Sequence, residues 1–322
     1  MDDFLKAIIS FPKQLKPVFP LSQKIQARGK KPDGIIICGV GGSALAGETI
    51  KALIPELNIP VPIIVWKNYD LPYHFFRNPL LIFVSFSGNT EETISSFNKT
   101  KKYKLKAVIT SGGRLQKLAR KENCPLIIIP QEKLLSRQAV GYMLFAELKI
   151  LKDFFPQIKI PNIKLDVYKS KVEGQKLARK INRKIPLIYA SRQNYFLAHY
   201  WKVNFNETAS LPAFCHFLPE LSHNEIAGFS QKKVNKNFFA VFLIDRSDSD
   251  RIKKKSLVTQ KFLKRKGVDS IIIKGKDSRV KNTFTSFVLS NWTSYWLAKL
   301  KKIDPNSGNR IIEEFKKMTA KT

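Results

Sequence analysis

Two loops carry most of the side chains in the first half that could do chemistry. Gly39-Val-Gly-Gly-Ser43 follows a short apolar run that begins at Gly34, and it opens a helix-like stretch. Glycines at such a place let the backbone approach a ligand closely, and the first turn of a helix offers free N–H groups to an anion. Read on to Ala44, the same residues fit the dinucleotide pattern G-x-G-x-x-A. That pattern needs a carboxylate at the end of the next strand, about 20 residues on, to hold the ribose hydroxyls. The chain offers Trp66-Lys67-Asn68 there and no carboxylate before Asp70, which leaves only a 2′-phosphate variant through Lys67 open. A tight strand-to-helix turn without a ligand is the plain alternative. The second loop is Ser85-Phe-Ser87-Gly-Asn-Thr90-Glu-Glu-Thr93. Its hydroxyls sit just before a helix that Asn89 or Thr90 would cap. With unpaired backbone N–H groups they form a phosphate cradle that needs neither metal nor lysine. An ordinary capped loop is the alternative.

The elements that must hold these loops are legible as alternating strands and helices. Gly34–Val40, Pro62–Trp66, Leu80–Ser85, Ala107–Thr110 and Pro125–Ile129 are short apolar runs rich in β-branched residues. Runs apolar at every position suit strands buried on both faces of a parallel sheet. Helices are predicted over Ser43–Leu53, Glu91–Lys99, Arg114–Glu122 and Arg137–Phe154, with Phe155–Pro161 as a linker. The second half repeats the type, with strands at Pro186–Ala190, Phe238–Ile244 and Asp269–Lys274 and helices at Tyr195–Glu207, Ser249–Lys266 and Phe284–Lys301. The expected fold is therefore α/β, in two domains over residues 1–155 and 162–322. Each domain is a mainly parallel sheet flanked by helices, with ligand sites beyond the carboxyl ends of the strands.

Composition narrows the function classes. The 322 residues carry 57 Lys and Arg against 25 Asp and Glu, a net charge of +32, split as +11 over residues 1–150 and +21 over the rest. Such an excess raises nucleic acid and anionic surfaces as partners. The densest run, Arg251 to Lys266, has eight basic residues and no acidic one. It is interrupted by Ile252, Leu257, Val258, Phe262 and Leu263 at helical intervals, which favours an amphipathic helix with a solvated basic face over a nucleic-acid patch. No apolar run approaches the ~18 residues that span a bilayer, so a membrane partner is not expected. The N-terminus, Met1-Asp2-Asp3-Phe4, lacks a signal layout. Cys38, Cys124 and Cys215 are too few and too scattered for a disulfide framework or a zinc site, so a reducing, cytoplasmic location is expected.

Taken together, Gly39–Ser43, Tyr69-Asp-Leu-Pro72 and Ser85–Thr93 resemble the sugar isomerase (SIS) fold. More narrowly, they resemble the bifunctional phosphoglucose/phosphomannose isomerase family of archaea and bacteria. The resemblance continues through Ser136-Arg137-Gln-Ala-Val-Gly141-Tyr142, Asn206-Glu207 and Pro212-Ala213-Phe214. It is most specific in Leu218-Pro219-Glu220-Leu221-Ser-His223-Asn224-Glu225-Ile226, and Ile303-Asp304-Pro305, Ile311 and Lys316 extend it. It implies two SIS-type domains and a reversible isomerisation of glucose 6-phosphate, and of mannose 6-phosphate, to fructose 6-phosphate. That chemistry needs a base for the C2 proton, a group to open the sugar ring and a cation for the enediolate. The resemblance assigns these to Glu207, His223 and Arg137, and the phosphate cradle to Gly42, Ser43, Ser85, Ser87 and Thr90.

It also implies that Lys299 and Thr293, with Ser294 nearby, contact the sugar. No cofactor and no metal are needed. The partner is a second copy of the chain, whose His223 completes the neighbouring pocket. The plainer readings are a solvated carboxylate for Glu207, a turn-capping imidazole for His223 and a surface charge for Arg137. Glu225 is either an orienter of His223 or a surface residue, and His74, His199 and His216 are structural. Three other functions compete: a non-catalytic sugar-phosphate sensor on the same fold, a nucleic-acid binder and a dinucleotide-dependent oxidoreductase. The sensor would carry a DNA-binding segment, for which the stretch before Gly34 is too short. The oxidoreductase lacks its ribose-binding acid.

Overall fold

The computed structural model describes residues 2–16, 20–22, 31–72 and 75–319. Helix α1 (Asp3–Ser10) comes first, followed by β1 (Gly34–Cys38), α2 (Gly42–Ala52), the single turn α3 (Ile54–Leu57) and β2 (Ile63–Trp66). Next are β3 (Pro79–Ser85), α4 (Glu91–Asn98), β4 (Lys106–Thr110), α5 (Gly113–Lys121), β5 (Leu126–Ile128) and α6 (Val140–Phe154). By contact the chain divides into two compact units, Ser10–Lys164 and a second formed by Met1–Ile9 with Leu165–Thr322. In the first unit all pairings are parallel and the strand order is β2-β1-β3-β4-β5. Strands β1, β3 and β4 are buried along their whole length, as the uninterrupted apolar runs require. Ile36, Cys38, Leu81 and Phe83 pack under Phe97 of α4 and Leu115 and Ala119 of α5. Phe83 and Phe97 meet edge-to-face at 5.2 Å, a geometry worth about 1 kcal/mol beyond its area.

The second unit continues with α7 (Val167–Ile181), β6 (Ile185–Ser191), α8 (Tyr195–Thr208), β7 (Phe214–Leu218), the single turn α9 (Lys232–Asn235) and β8 (Phe238–Ile244). It ends with α10 (Asp250–Arg265), β9 (Asp269–Lys274), α11 (Arg279–Leu300) and α12 (Ser307–Thr319). Its sheet is again all parallel, in the order β7-β6-β8-β9. Besides α1 and the single turn α9, three further elements here were not predicted. Helix α7 is polar on most of its surface, β7 is an exposed edge strand, and α12 is an amphipathic helix whose apolar residues face outward. Burial patterns of that kind leave no clean apolar run in a sequence.

Two sequence-level boundaries move. Residues 2–9 belong with the second unit, because Phe4 stacks on Tyr295 at 6.0 Å and Asp2 receives both the Tyr295 hydroxyl and the Lys299 ammonium. The stretch from Phe155 is packed on the first unit, where Phe155 and Ile158 are buried and Lys159 N–H bonds the Leu57 carbonyl. The division falls at Lys164–Leu165.

Candidate active site

The first sheet reverses its strand order between β1 and β3, and in sheets of this order the crevice at the reversal is the usual ligand position. Both chemistry-bearing loops leave the carboxyl ends of these two strands. Gly41, at φ +57°, turns the chain from β1 into α2, a conformation that favours glycine. Ser43 is buried, and its hydroxyl accepts from Phe86 N–H at 3.1 Å, which ties the β1 loop to the β3 loop. Ser85 lies 2.8 Å from Thr90 hydroxyl to hydroxyl, and its oxygen also accepts from Gly88 N–H at 3.1 Å. Ser87 is exposed and accepts from Asn89 N–H at 3.3 Å, keeping its own O–H free to donate.

Thr90 occupies the N-cap position of α4, yet its hydroxyl faces Ser85 and caps nothing. The first N–H groups of α4 thus have no side-chain cap, the arrangement by which a helix start can accept an anion. Glu91 and Glu92 in the same turn oppose an anion, but the Tyr69 hydroxyl draws Glu91 aside at 3.4 Å. Gly88 sits at φ +69° against the β4 loop, where a Cβ would meet the Gly112 carbonyl, so this side of the crevice is backbone packed on backbone.

Gly42 approaches a third segment. A Cβ on it would lie 2.6 Å from Arg137 N, so Ser136 and Arg137 lie directly over the start of α2. Arg137 is only 1% exposed, which corrects the surface-charge reading. It lies ahead of α6, which starts at Val140 and not at Arg137. Gly42, Ser43, Ser85, Ser87, Thr90 and Arg137 are therefore brought to one end of one sheet. The dinucleotide alternative loses ground at the same place. After β2 the Trp66 indole donates to the Tyr69 and Asp70 carbonyls, and Asp70 Oδ1 accepts from Ser95 of α4 at 3.0 Å. The nearest carboxylate is thus committed to the fold.

In the second unit Glu207 and His223 emerge at opposite edges of the sheet. Helix α8 starts beyond the carboxyl end of β6 and runs back along it, so Glu207 in its last turn lies at the amino edge. His223 lies just past the carboxyl end of β7, whose Leu218 pairs in register with Ser191 at the end of β6. A five-residue strand separates the two edges, roughly 16 Å. Glu207 is half-buried. Gly308 of α12 packs against its backbone so closely that a Cβ would overlap the Glu207 carbonyl. Lys301 donates to the carbonyls of Ala209 and Ser210 at 3.1 and 3.0 Å, which places a cation just beyond Glu207, and burial lowers its pKa. His223 is exposed and caps no turn, a role that Asn224 takes by accepting from Glu225 N–H.

The remaining candidates do not join a site. Thr293 and Ser294 are fully buried, with hydroxyls bonded to the Leu289 and Asn291 carbonyls of their own helix, so neither faces a sugar. Lys299 is paired with Asp2 at 3.0 Å, and that pairing raises its pKa. His216 accepts from Phe217 N–H within β7, and His199 lies half-buried on α8, while His74 is outside the described residues. Among the described residues no group of three or more His, Cys, Asp or Glu is arranged to hold a metal, and no helix is long and apolar enough to cross a membrane.

The second sheet reverses between β6 and β8, and there the chain supplies its own anion. Asp248, 3% exposed, accepts from the Ser191 hydroxyl at 2.5 Å, the Asn194 amide at 3.0 Å and Asp245 N–H at 2.8 Å. Here a carboxylate of the chain itself takes the donors, where the first crevice is lined with hydroxyls.

Comparison with known proteins identifies the family. Residues 170–318 match the model of the bacterial phospho-glucose isomerase C-terminal SIS domain. The bifunctional phosphoglucose/phosphomannose isomerase of Aquifex aeolicus is 33% identical over 292 residues, covering 88% of this chain and 91% of that protein. The D-glucosamine-6-phosphate 4-epimerase of Sulfolobus acidocaldarius is 30% identical over 68% of this chain and 71% of its own. Among solved structures, the C-terminal domain of a glucosamine-fructose-6-phosphate aminotransferase from Francisella tularensis superposes with a TM-score of 0.69 at 18% identity, covering 94% of this chain and 97% of that one. The fold is thus the α/β SIS type, and the chain belongs to the bifunctional phosphoglucose/phosphomannose isomerase family.

Proposed function

We propose that the protein interconverts fructose 6-phosphate with glucose 6-phosphate and with mannose 6-phosphate, as an aldose–ketose isomerase of carbohydrate metabolism at the glycolysis and gluconeogenesis branch. The observation that carries this is the hydroxyl-lined crevice at the β1/β3 reversal, in a chain of this family. In this reading Ser87, Thr90 and the N–H groups of α4 hold the phosphate, while Ser43 and Ser85 brace the loop. His223 moves the proton that opens the sugar ring. Glu207 takes the proton from C2 of the open aldose and returns it to C1, while the proton of the C2 hydroxyl passes to O1, so that C2 becomes the ketone and C1 the primary alcohol. Arg137 faces the charge that builds on the enediolate oxygen. No redox equivalent or second substrate enters, so atoms and electrons balance within the sugar. The opposite-edge placement of Glu207 and His223 supports a homodimer in which one copy's His223 serves the other's Glu207. Three free cysteines support a reducing, cytoplasmic location.

The test supplies purified protein with fructose 6-phosphate, without metal or nucleotide, and measures the two aldose phosphates separately. Formation of both is expected. The epimerase relative supplies a second reading, action on an amino-sugar phosphate, so D-glucosamine 6-phosphate is run in parallel. Turnover of that compound alone would overturn the isomerase reading, and binding without any turnover would leave a sensor.

A further inference from the structure

His223 sits on a loop whose polar side chains, other than the imidazole, are all committed. Ser222 donates to the Pro219 carbonyl at 2.5 Å, Asn224 donates to Glu220 at 3.0 Å, and the Asn224 oxygen accepts from Glu225 N–H. Leu221, Ile226 and Phe229 root the two flanking turns, Glu220–His223 and Glu225–Gly228, in the core under the second sheet. One contact reaches deeper. Tyr189 of central strand β6 is 1% exposed, and its hydroxyl donates to Glu225 Oε1 at 2.5 Å. The ring packs against Phe242 with centroids 5.2 Å apart, inside the core under the sheet.

A buried phenol needs an acceptor, and a carboxylate makes the bond about twice as strong as a neutral one. Burial and the Glu225 charge both push the Tyr189 pKa well up, so the phenol stays a donor. Glu225 is therefore neither a surface residue nor hydrogen-bonded to the imidazole. It joins the loop to the rigid middle of the sheet two residues from His223.

We propose that Tyr189 and Glu225 are a positioning pair that fixes the loop carrying His223, without touching substrate. The inference rests on the reading of His223 as the ring-opening group. Displacing a proton-transfer group by about 1 Å can cost up to 10²-fold. Tyr189→Phe, Glu225→Ala and Glu225→Gln are compared with the parent, alone and combined with His223→Ala. Readouts are kcat and KM on fructose 6-phosphate, catalysed anomerisation of glucose 6-phosphate, and affinity for an open-chain aldonate phosphate, which needs no ring opening.

Tyr189→Phe and Glu225→Ala are expected to lower kcat and anomerisation together by about tenfold, with KM and inhibitor affinity unchanged. Glu225→Gln, which keeps an acceptor for the phenol, recovers most of the loss. In the His223→Ala background the Tyr189→Phe effect disappears. Persistence of that effect without His223, or loss of inhibitor affinity in parallel with turnover, would overturn the pair. Wild-type anomerisation in His223→Ala alone would instead remove the role of His223 itself.

Discussion

Two carboxylates in this chain show how burial and position separate function from fold. Glu207 lies half-buried in the last turn of α8, held by Gly308 behind it and with Lys301 just beyond. Glu207→Gln keeps the shape and removes the proposed base, so kcat should fall by at least about 10²-fold with KM little changed, as steady-state kinetics would read. Unchanged turnover would exclude it as the base. Glu147 of α6 is wholly buried, neither of its oxygens has a hydrogen-bond partner, and burial raises its pKa well above 4.5. It folds protonated, whereas the unfolded chain releases that proton above its ordinary pKa of about 4.5. The native state therefore loses stability as pH rises from that point toward the raised value. Glu147→Gln should flatten this slope, so its melting temperature should exceed the parent's at pH 8 and approach it at pH 4. Equal pH dependence in both proteins would contradict the assignment.

At the scale of elements, the backbone conformation of the loops matters as much as their side chains. Gly88 combines a φ of +69° with a Cβ position that the Gly112 carbonyl already occupies. Gly88→Ala must push the β3 and β4 loops apart, so sugar-phosphate affinity should fall by tenfold or more, measured by calorimetric titration. Asp248 makes the opposite case in the second sheet. Asp248→Ala leaves the Ser191 hydroxyl, the Asn194 amide and a buried N–H unpaired, a loss of about 3 kcal/mol that a thermal melt would register. Added formate should restore part of it. The first sheet was legible because five apolar runs and the glycine and serine loops between them follow directly from burial on both faces. Strand β7 was not, because Phe214 to Phe217 are only partly buried at the sheet edge. Helix α10 was half legible: Leu263 is buried as its period predicts, but Leu257 and Val258 are exposed. The Asp2–Lys299 pair depends on α1 joining the second unit, and no local pattern announces that contact.

For the whole molecule, the net charge of +32 is a property of its outer faces. In the proposed reading the crevice at β1/β3 binds phosphate through hydroxyls and backbone N–H groups, which leaves the exposed lysines to steer anionic sugars over a Debye length of about 10 Å. The arrangement of Glu207 and His223 is more informative. They lie at opposite edges of one sheet, separated by the length of β7, which exceeds the reach of a single hexose ring. If both act on one substrate, each must come from a different copy, and a closed twofold dimer then builds two sites, each with one Glu207 and one His223. Strongly impaired Glu207→Gln and His223→Ala chains should therefore complement each other when mixed after dissociation. Half of the dimers formed are mixed, and each has one intact site and one doubly altered site. Activity should return to about a quarter of the parent value. If both residues served the site of their own chain, every site in the mixture would be damaged and no activity would return.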